Sequence, residues 1–194
     1  MIRLASATLA PVVMLAIMPV AAADQSQGQL TVRADLSYVP ISEIEFTNRD
    51  LKYEIYDNLT YRGSLEYRIS NILSIGPAFE YMARHISPDA TFSEDIRLYN
   101  LYADFRFNHA LTDSGANYFV FGLCTGISSL NEDNGAAGRG FLFYGVVGFD
   151  IALSKLVGLD LIYRYQDSRI DVEDRIYRFD GSALQAGLNY RFRL

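Results

Sequence analysis

The sequence predicts an all-β protein: an eight-stranded antiparallel up-and-down transmembrane β-barrel, preceded by a cleaved signal peptide. Three observations predict this class. Eight segments alternate apolar and polar residues with a period of 2, the last alternation runs to the final residue, and short and long connections alternate along the chain. A period of 2 places the two residue sets on opposite faces of a strand, and about 9–11 tilted residues cross a hydrocarbon layer.

Residues 1–23 are predicted to be the signal peptide, and residues 24–194 the barrel domain. Arg3 supplies a positive charge, residues 9–20 are mostly apolar, and residues 21–23 (A-A-A) offer a cleavage site. The apolar run is too short for an anchor, and no stop-transfer pattern follows it. Loss of Arg3 changes the formal net charge from −6 to −7, and an acidic chain is a poor binder of nucleic acid.

The first four predicted strands each keep one apolar face. Residues 29–39 read Q-L-T-V-R-A-D-L-S-Y-V, with apolar side chains at even numbers. Residues 58–69 (N-L-T-Y-R-G-S-L-E-Y-R-I) and 72–84 (I-L-S-I-G-P-A-F-E-Y-M-A-R) place them at odd numbers. Residues 96–107 (I-R-L-Y-N-L-Y-A-D-F-R-F) do so from Tyr99 onward. We expect the apolar faces to point to lipid and the other faces to the barrel interior.

The last four strands follow the same rule with more small residues inside. Residues 117–128 (N-Y-F-V-F-G-L-C-T-G-I-S) and 140–153 (G-F-L-F-Y-G-V-V-G-F-D-I-A-L) carry Phe, Leu, Val and Ile at odd numbers. Residues 157–166 read V-G-L-D-L-I-Y-R-Y-Q, and residues 182–194 read S-A-L-Q-A-G-L-N-Y-R-F-R-L. The last segment has one apolar face to its final residue, as a closing transmembrane strand would.

The connections between these strands alternate in length. The short ones are residues 70–71, 108–116 and 154–156. The long, polar ones are residues 40–57, 86–95, 129–139 and 167–181. Short turns on one rim and long loops on the other are typical of outer-membrane barrels, in which the short turns are periplasmic. Both termini then lie on the periplasmic rim.

A soluble exported lipocalin-like carrier is the alternative fold, with the apolar faces turned inward. Alternation alone does not separate the two. The membrane barrel is favoured by aromatic residues near the ends of the apolar faces, such as Tyr38, Tyr99 and Tyr163, which resemble aromatic girdles. It is also favoured by the mixture of small and charged residues on the opposite faces.

Over its mature length the chain resembles the small outer-membrane β-barrel proteins of the OmpA/OmpX and opacity-protein type. The most specific segments are residues 187–192 (G-L-N-Y-R-F) and 144–149 (Y-G-V-V-G-F). The resemblance implies an eight-stranded barrel in the outer membrane of a Gram-negative bacterium, in contact with outer-membrane lipid and lipopolysaccharide. It also implies that the barrel-assembly machinery reads the end of the last strand, where the assembly signal would be Leu188, Tyr190, Phe192 and Leu194.

The interior of an eight-stranded barrel is barely wide enough for its own side chains. An uncompensated buried charge costs several kcal/mol, so charges in this space must pair. We expect an interior plugged by ion pairs, with a narrow ion path made by switching partners as the alternative. The predicted interior set is Arg33, Asp35, Arg62, Glu66, Arg68, Glu80, Arg84, Asp104, Arg106, Asp150, Asp160, Arg164 and Arg191.

One cluster resembles a catalytic constellation. His85 can act as a general base towards Ser87, and Glu94 can orient the His. The triplet resembles the lipid-facing His-x-Ser pair of outer-membrane lipid A deacylases, although Pro88 stands where that family usually has Asn. A lipid A or phospholipid hydrolase is therefore the alternative function, and we expect no enzyme activity. Two separated His residues and one Cys give no metal-ligand spacing, so neither a metal nor a cofactor is expected.

The long loops are the remaining functional candidates, because a rigid scaffold commonly binds through its loops. The first, at residues 40–57, keeps some alternation, so the first hairpin is expected to extend above the membrane and expose a strand edge. Tyr56 and Tyr177 would suit a contact with a surface ligand or host protein. The predicted function is a non-enzymatic barrel that contributes to envelope integrity or surface interaction.

Overall fold

The computed structural model describes residues 28–46, 51–89, 92–112 and 116–193. The predicted signal peptide lies outside these residues. Within them no helix is long and apolar enough to cross a membrane. The described chain contains the strands β1 (Gln29–Phe46), β2 (Leu51–Arg68), β3 (Leu73–Asp89), β4 (Phe92–Ala110), β5 (Tyr118–Glu132), β6 (Ala137–Ala152), β7 (Val157–Val172), β8 (Arg175–Arg178) and β9 (Gly181–Arg193).

The strands close into a barrel with eight antiparallel strand positions, here called staves. This confirms the predicted fold class. Each strand from β1 to β7 pairs with the next, and β9 pairs with both β7 and β1. Closure brings Gln29 opposite Arg193, so both ends of the described chain lie at one rim, here called the terminal end. The opposite rim, where β1–β2, β3–β4, β5–β6 and β7–β8 are connected, is called the hairpin end.

The eighth stave consists of two segments. β8 pairs with β7 and β1 at the hairpin end, and β9 continues the same line toward the terminal end. The break lies at Phe179 and Asp180, followed by Gly181 with a φ of 121°, a conformation open to glycine. Between Tyr38 and Glu43 the register of β1 with this stave shifts by one residue, which is a β-bulge.

The outer surface carries a broad belt of exposed apolar side chains. On β7, Leu161, Tyr163 and Tyr165 are exposed while Arg164 between them is buried. This is opposite to a soluble carrier, whose outer face is polar. The belt includes Val32, Leu36, Leu59, Leu65, Tyr67, Phe79, Leu101, Phe121, Leu123, Ile127, Phe141, Phe143, Val147, Phe149, Leu161, Tyr163, Tyr165, Leu184, Leu188, Tyr190 and Phe192.

The four predicted long loops are largely strand, which corrects the sequence interpretation. β1 continues to Phe46, β5 to Glu132 and β7 to Val172. The reason is a reversal of pattern above the belt. On the upper part of β7 the outward residues are charged, as at Asp167 and Arg169, while the inward Ile170 is apolar and fully buried. The strand continues, but the polar face now points outward and reads in the sequence as a loop.

Apolar side chains fill the barrel interior at the hairpin end. They come from the strand segments that were predicted to be loops or lie beside them. Burial of such side chains stabilises the strands that carry them by roughly 25 cal/mol per Å² of apolar surface. This set, called the rim cluster, is Ile44, Ile55, Met82, Ile86, Ile96, Leu98, Leu130, Ile170, Val172, Tyr177 and Phe179.

Candidate functional site: the charged interior and the hairpin end

Below the rim cluster the interior is charged. Twelve of the thirteen residues in the predicted interior set are buried. These twelve are six arginines and six carboxylates, so together they are formally neutral. The buried members are Arg33, Asp35, Arg62, Glu66, Arg68, Glu80, Asp104, Arg106, Asp150, Asp160, Arg164 and Arg191.

Arg62 on β2 lies at the centre of one part of the network. Its guanidinium forms ion pairs with Asp35 on β1 and Asp104 on β4. Its Nε donates a hydrogen bond of 2.8 Å to the hydroxyl of Tyr102. Arg106 adds a second cation to this part, with its Nε 3.1 Å from the carboxylate of Asp104. Charge-assisted bonds of this kind are stronger than neutral ones, and each carboxylate here is shared.

Arg33 on β1 joins this part of the network to the strands across the barrel. It donates to Glu66 at 2.9 Å, pairs with Asp160 on β7, and lies 3.4 Å from Asp150 on β6. Glu66 also accepts Arg106 at 3.2 Å. The side chains of strands that are not neighbours in the sheet therefore meet inside the barrel.

The pair of Arg164 and Glu80 spans the lumen. Both terminal nitrogens of Arg164 on β7 donate to the two oxygens of Glu80 on β3, each at 2.9 Å. β3 and β7 are four staves apart in an eight-stave barrel, so they face each other across its full width. The guanidinium of Arg164 also lies 4.9 Å from the ring centroid of Tyr144. The bidentate pair therefore crosses the lumen instead of lining its wall.

An aromatic ring lies between two cations nearer the terminal end. The guanidinium of Arg68 lies 4.4 Å from the ring centroid of Tyr118, and that of Arg191 lies 5.9 Å away. Arg191 also pairs with Asp150 and donates to Asn189 at 3.1 Å. Among the described residues no carboxylate forms an ion pair with Arg68, whose guanidinium lies over the ring of Tyr118 instead.

Arg84 is the exception in the predicted interior set. Its side chain is half-buried, and its Nη2 donates to the backbone carbonyl of Tyr56 at 2.6 Å. Arg84 lies near the hairpin end, where the interior is filled by the apolar rim cluster. The guanidinium extends from there toward the backbone of β2.

The candidate catalytic residues are not brought together as a triad. His85 and Ser87 share the outer face of β3, but Glu94 has the inward parity of β4. The Nδ1 of His85 lies 2.6 Å from Asp95, and both side chains are exposed. Glu94 instead accepts a hydrogen bond of 3.0 Å from Asn134 and lies 3.7 Å from Arg175. Adjacent strand residues point to opposite faces, which separates Glu94 from His85.

Sequence reasoning missed a polar cluster at the hairpin end. Glu132 is buried, accepts a 2.6 Å hydrogen bond from the Tyr177 hydroxyl, and lies 2.6 Å from Arg175. Burial raises the pKa of Tyr177, and the hydrogen bond to Glu132 adds to this effect. Tyr177 is fully buried, which corrects the expectation of an exposed contact residue. A continued period of 2 through Glu132 was the available signal.

A second acidic contact flanks this cluster. A hydrogen bond with Asp133 raises the pKa of Glu94 and lowers that of Asp133. Asn134 donates to both Glu94 and Glu132, at 3.0 and 2.9 Å. Across the described residues no group of three or more His, Cys, Asp or Glu side chains is arranged to hold a metal ion.

The predicted assembly signal lies on the outer face of β9. Leu188, Tyr190 and Phe192 are exposed there, and the rings of Tyr190 and Phe192 have centroids 4.6 Å apart. Leu194 lies outside the described residues. The three described side chains belong to the apolar belt.

Comparison with known proteins agrees with this architecture. The crystal structure of Neisserial surface protein A (NspA) is 17% identical, with 86% of this chain and 100% of that chain covered and a TM-score of 0.62. The outer membrane protein OprG of Pseudomonas aeruginosa is 13% identical, with 87% of this chain and 98% of that chain covered and a TM-score of 0.60. At such identities the likeness shows the fold alone. No curated protein gives a significant match.

A family model covers nearly the whole chain. It is described as the outer membrane protein beta-barrel domain, and it matches residues 7–192. The match includes all the described strands up to the penultimate residue of β9. The chain therefore belongs to the family of outer membrane protein beta-barrel domains.

Proposed function

We propose that this protein is a non-enzymatic outer-membrane barrel with a closed, ion-paired interior, and that it contributes to envelope integrity or surface interaction through its hairpin end. The observation that carries the proposal is the bidentate pair of Arg164 and Glu80, which bridges opposite staves. The neutral set of buried charges and the rim cluster above it support the same proposal, because both sets of side chains are buried inside the barrel.

The proposal includes the route to the membrane. Residues 1–23 direct export and are cleaved, and the barrel-assembly machinery reads Leu188, Tyr190, Phe192 and Leu194. The hairpin end is then extracellular and the terminal end periplasmic, as in barrels with short periplasmic turns. The apolar belt contacts outer-membrane lipid and lipopolysaccharide. The exposed, hydrophobic face of β9 supports this assignment.

Planar-bilayer recording tests the closed interior. The purified full chain should give no steady single-channel current, because a narrow barrel crossed by paired side chains leaves no continuous water path. The variant Arg164→Ala/Glu80→Ala should give measurable openings, while Arg169→Ala, an exposed site on the same strand, should behave as wild type. A steady current through the wild-type barrel would contradict the plug.

Lipid analysis tests the absence of activity. His85→Ala and Ser87→Ala should each leave the lipid A and phospholipid profile of the cell unchanged relative to wild type. The contact of His85 with Asp95 resembles the carboxylate–histidine part of a hydrolase triad, which makes His85 and Ser87 the residues to test. A profile that depends on either residue would contradict the non-enzymatic proposal.

A further inference from the structure

One arginine inside the terminal end lacks a counter-charge. Arg68, the last residue of β2, is buried, and its guanidinium lies 4.4 Å from the ring centroid of Tyr118. Its Nη1 has no hydrogen-bond acceptor among the described residues. Glu66, the next inward carboxylate along β2, instead pairs with Arg33 and Arg106. A cation–π contact offsets only part of the cost of burying a charge, so this arginine is a candidate for binding an anion.

Ser74 lies between this arginine and a second one. In the sheet, Ser74 of β3 is opposite Arg68 on one side and opposite Arg106 of β4 on the other. Directly opposite residues have Cβ atoms about 4.5–5.5 Å apart, so both arginines flank Ser74 closely. The Nη1 of Arg106 also has no hydrogen-bond acceptor among the described residues, because its contact with Asp160, at 3.8 Å, is too long for one.

Ser74 and Asn108 contribute one more donor and one acceptor. The Nδ2 of Asn108 donates to the Oγ of Ser74 at 3.0 Å and to the backbone carbonyl of Arg106 at 3.4 Å. Because a carbonyl only accepts, this contact fixes the orientation of the amide. The Ser74 hydroxyl thus keeps its hydrogen to donate. The Oδ1 of Asn108 has no hydrogen-bond partner in the described part of the chain.

These groups lie at the mouth of the terminal end. Arg68 ends β2, Asn108 lies two residues before the end of β4, and Tyr118 begins β5. In the orientation of the proposed function, a small solute reaches this mouth from the periplasm. The four polar residues, all buried, are called the terminal site: Arg68, Ser74, Arg106 and Asn108.

The donors and the acceptor of the terminal site match a tetrahedral oxyanion that carries a hydrogen. The planar fork of a guanidinium fits the oxygens of phosphate, and the Ser74 hydroxyl adds a third donor. The Asn108 oxygen needs a donor from the ligand. Hydrogen phosphate has both P–O⁻ and P–OH groups, whereas sulfate has the same shape and charge but no hydrogen. A site that would leave a buried acceptor unpaired discriminates against the ligand without the donor.

We propose that the terminal site binds inorganic phosphate. The ion accepts hydrogen bonds from the Nη1 atoms of Arg68 and Arg106 and from the hydroxyl of Ser74. Its P–OH group donates to the Oδ1 of Asn108. The bound ion supplies the counter-charge that Arg68 lacks. The inference goes beyond the proposed function, whose orientation decides only which compartment supplies the ion.

Isothermal titration calorimetry of the full chain tests this in dodecyl maltoside, a detergent without phosphate groups. At about pH 8 phosphate is mainly HPO₄²⁻, which has the charge of sulfate and one hydrogen. Inorganic phosphate should bind saturably, with one ion per chain. Sulfate should bind at least tenfold more weakly, because it leaves the Asn108 oxygen without a donor.

Variants locate the site. Arg68→Met removes the uncompensated charge, so the barrel should still fold, and phosphate binding should weaken at least tenfold. Asn108→Asp keeps the volume but adds a carboxylate to the terminal site, which should abolish binding by repulsion. Arg97→Met, on the exposed outer face of β4, should bind phosphate as wild type does. The gel shift between unboiled and boiled samples shows that each variant is folded.

Several results would overturn the inference. One is the absence of saturable phosphate binding, and others are sulfate that binds as tightly as phosphate or binding that Arg68→Met leaves intact. Equal weakening by Arg97→Met would mean diffuse attraction.

Asp113, in the connection between β4 and β5, lies outside the described residues. Phosphate binding that appears only after Asp113→Asn would mean that the chain supplies its own counter-charge, and would also overturn the inference. The bilayer recording tests the pair of Arg164 and Glu80 and does not depend on these results. Failure of the phosphate site is therefore distinguishable from failure of the proposed function.

Discussion

At the scale of single residues, the interior depends on which charges share partners. Glu66 contacts both Arg33 and Arg106, at 2.9 and 3.2 Å, and Asp104 contacts both Arg62 and Arg106. Removal of one side chain from such a set leaves several groups short of a partner. The pair of Arg164 and Glu80 is simpler, because each of its two hydrogen bonds joins the same two residues.

Arg164→Met should therefore be strongly destabilising. It leaves Glu80 buried without its guanidinium, and breaking a buried pair in this way costs about 3–5 kcal/mol. The double variant Arg164→Met/Glu80→Leu should recover most of the loss, since neither charge remains. Urea unfolding of the barrel in lipid vesicles, followed by the gel shift between folded and boiled protein, measures both.

The matched control is Arg97→Met on the exposed outer face of β4. Surface substitutions of this kind usually change stability by no more than about 0.5 kcal/mol. If the single and double variants at Arg164 were equally unstable, the pair would not be the source of the loss.

Glu94→Gln tests the acidic contact at the hairpin end. Its raised pKa means that the folded protein holds the Glu94 proton more tightly than the unfolded chain does. That contribution is complete below the ordinary pKa of 4.5 and is lost as the pH rises through the raised value. Gln keeps a donor toward Asp133 at every pH. The variant should match wild type at about pH 4 and exceed it in stability at about pH 8.

The lowered pKa of Asp133 acts in the opposite direction, and its contribution is lost as the pH falls through that lowered value. Hydrogen exchange of residues 133–136 at the two pH values gives a local readout. Asp171→Asn, exposed on the outer face of β7, serves as the control and should show no such pH dependence in these residues. A Glu94→Gln variant less stable than wild type at high pH would contradict a hydrogen bond in which Glu94 holds its proton toward Asp133.

At the scale of strands and hairpins, the main finding is that the barrel continues beyond its apolar belt. Above Tyr165 the outward residues of β7 are Asp167, Arg169 and Asp171, and the inward Ile170 and Val172 belong to the rim cluster. Hairpins of this kind have their own apolar core. They are therefore expected to be ordered as β-structure without lipid on their outer side.

Leu130→Ala should loosen the hairpin end while the belt keeps its structure. Leu130 is fully buried in the rim cluster, and Leu to Ala changes in cores cost about 2–5 kcal/mol. Limited proteolysis should then cut within residues 133–136 faster than in wild type. The unboiled variant should still migrate on a gel as a folded barrel. Asn131→Ala, the exposed neighbour on the same strand, is the control and should be cut at the wild-type rate.

At the scale of the whole molecule, the position in the membrane follows from the belt. Exposed apolar side chains cover every stave, and charged residues point outward toward the hairpin end, as at Lys52, Arg97 and Asp167. In the hydrocarbon layer a charged side chain on the lipid face is costly in proportion to its depth, and above the layer it is not. The molecule can therefore sit at one depth in the bilayer.

An arginine scan along β7 measures that depth. Leu161→Arg, in the middle of the belt, should destabilise the barrel by about 2–4 kcal/mol, whereas Asp167→Arg should cost about 0–1 kcal/mol. Both sites are exposed, so loss of core packing does not enter the comparison. Equal costs at both sites would place the boundary of the hydrocarbon layer elsewhere.

Much of this architecture follows from the sequence, because the alternation of side chains is a local property of a strand. Residues 182–194 alone predict one lipid-facing face, and β9 exposes Leu184, Leu188 and Tyr190 as that pattern requires. The same parity predicts that Arg62 and Asp104 point inward. The strand number follows from the eight alternating segments. Closure follows because a transmembrane sheet must not leave an unpaired edge in lipid.

The tertiary structure decided what no local pattern contains. It determined that Arg164 meets Glu80, 84 residues away, and that His85 meets Asp95 rather than Glu94. It also determined that the hairpins continue as strands, because their inward faces bury one another only after the barrel has closed. A period of 2 states which face a residue occupies. The shear and closure of the barrel select which residues share that face across the lumen.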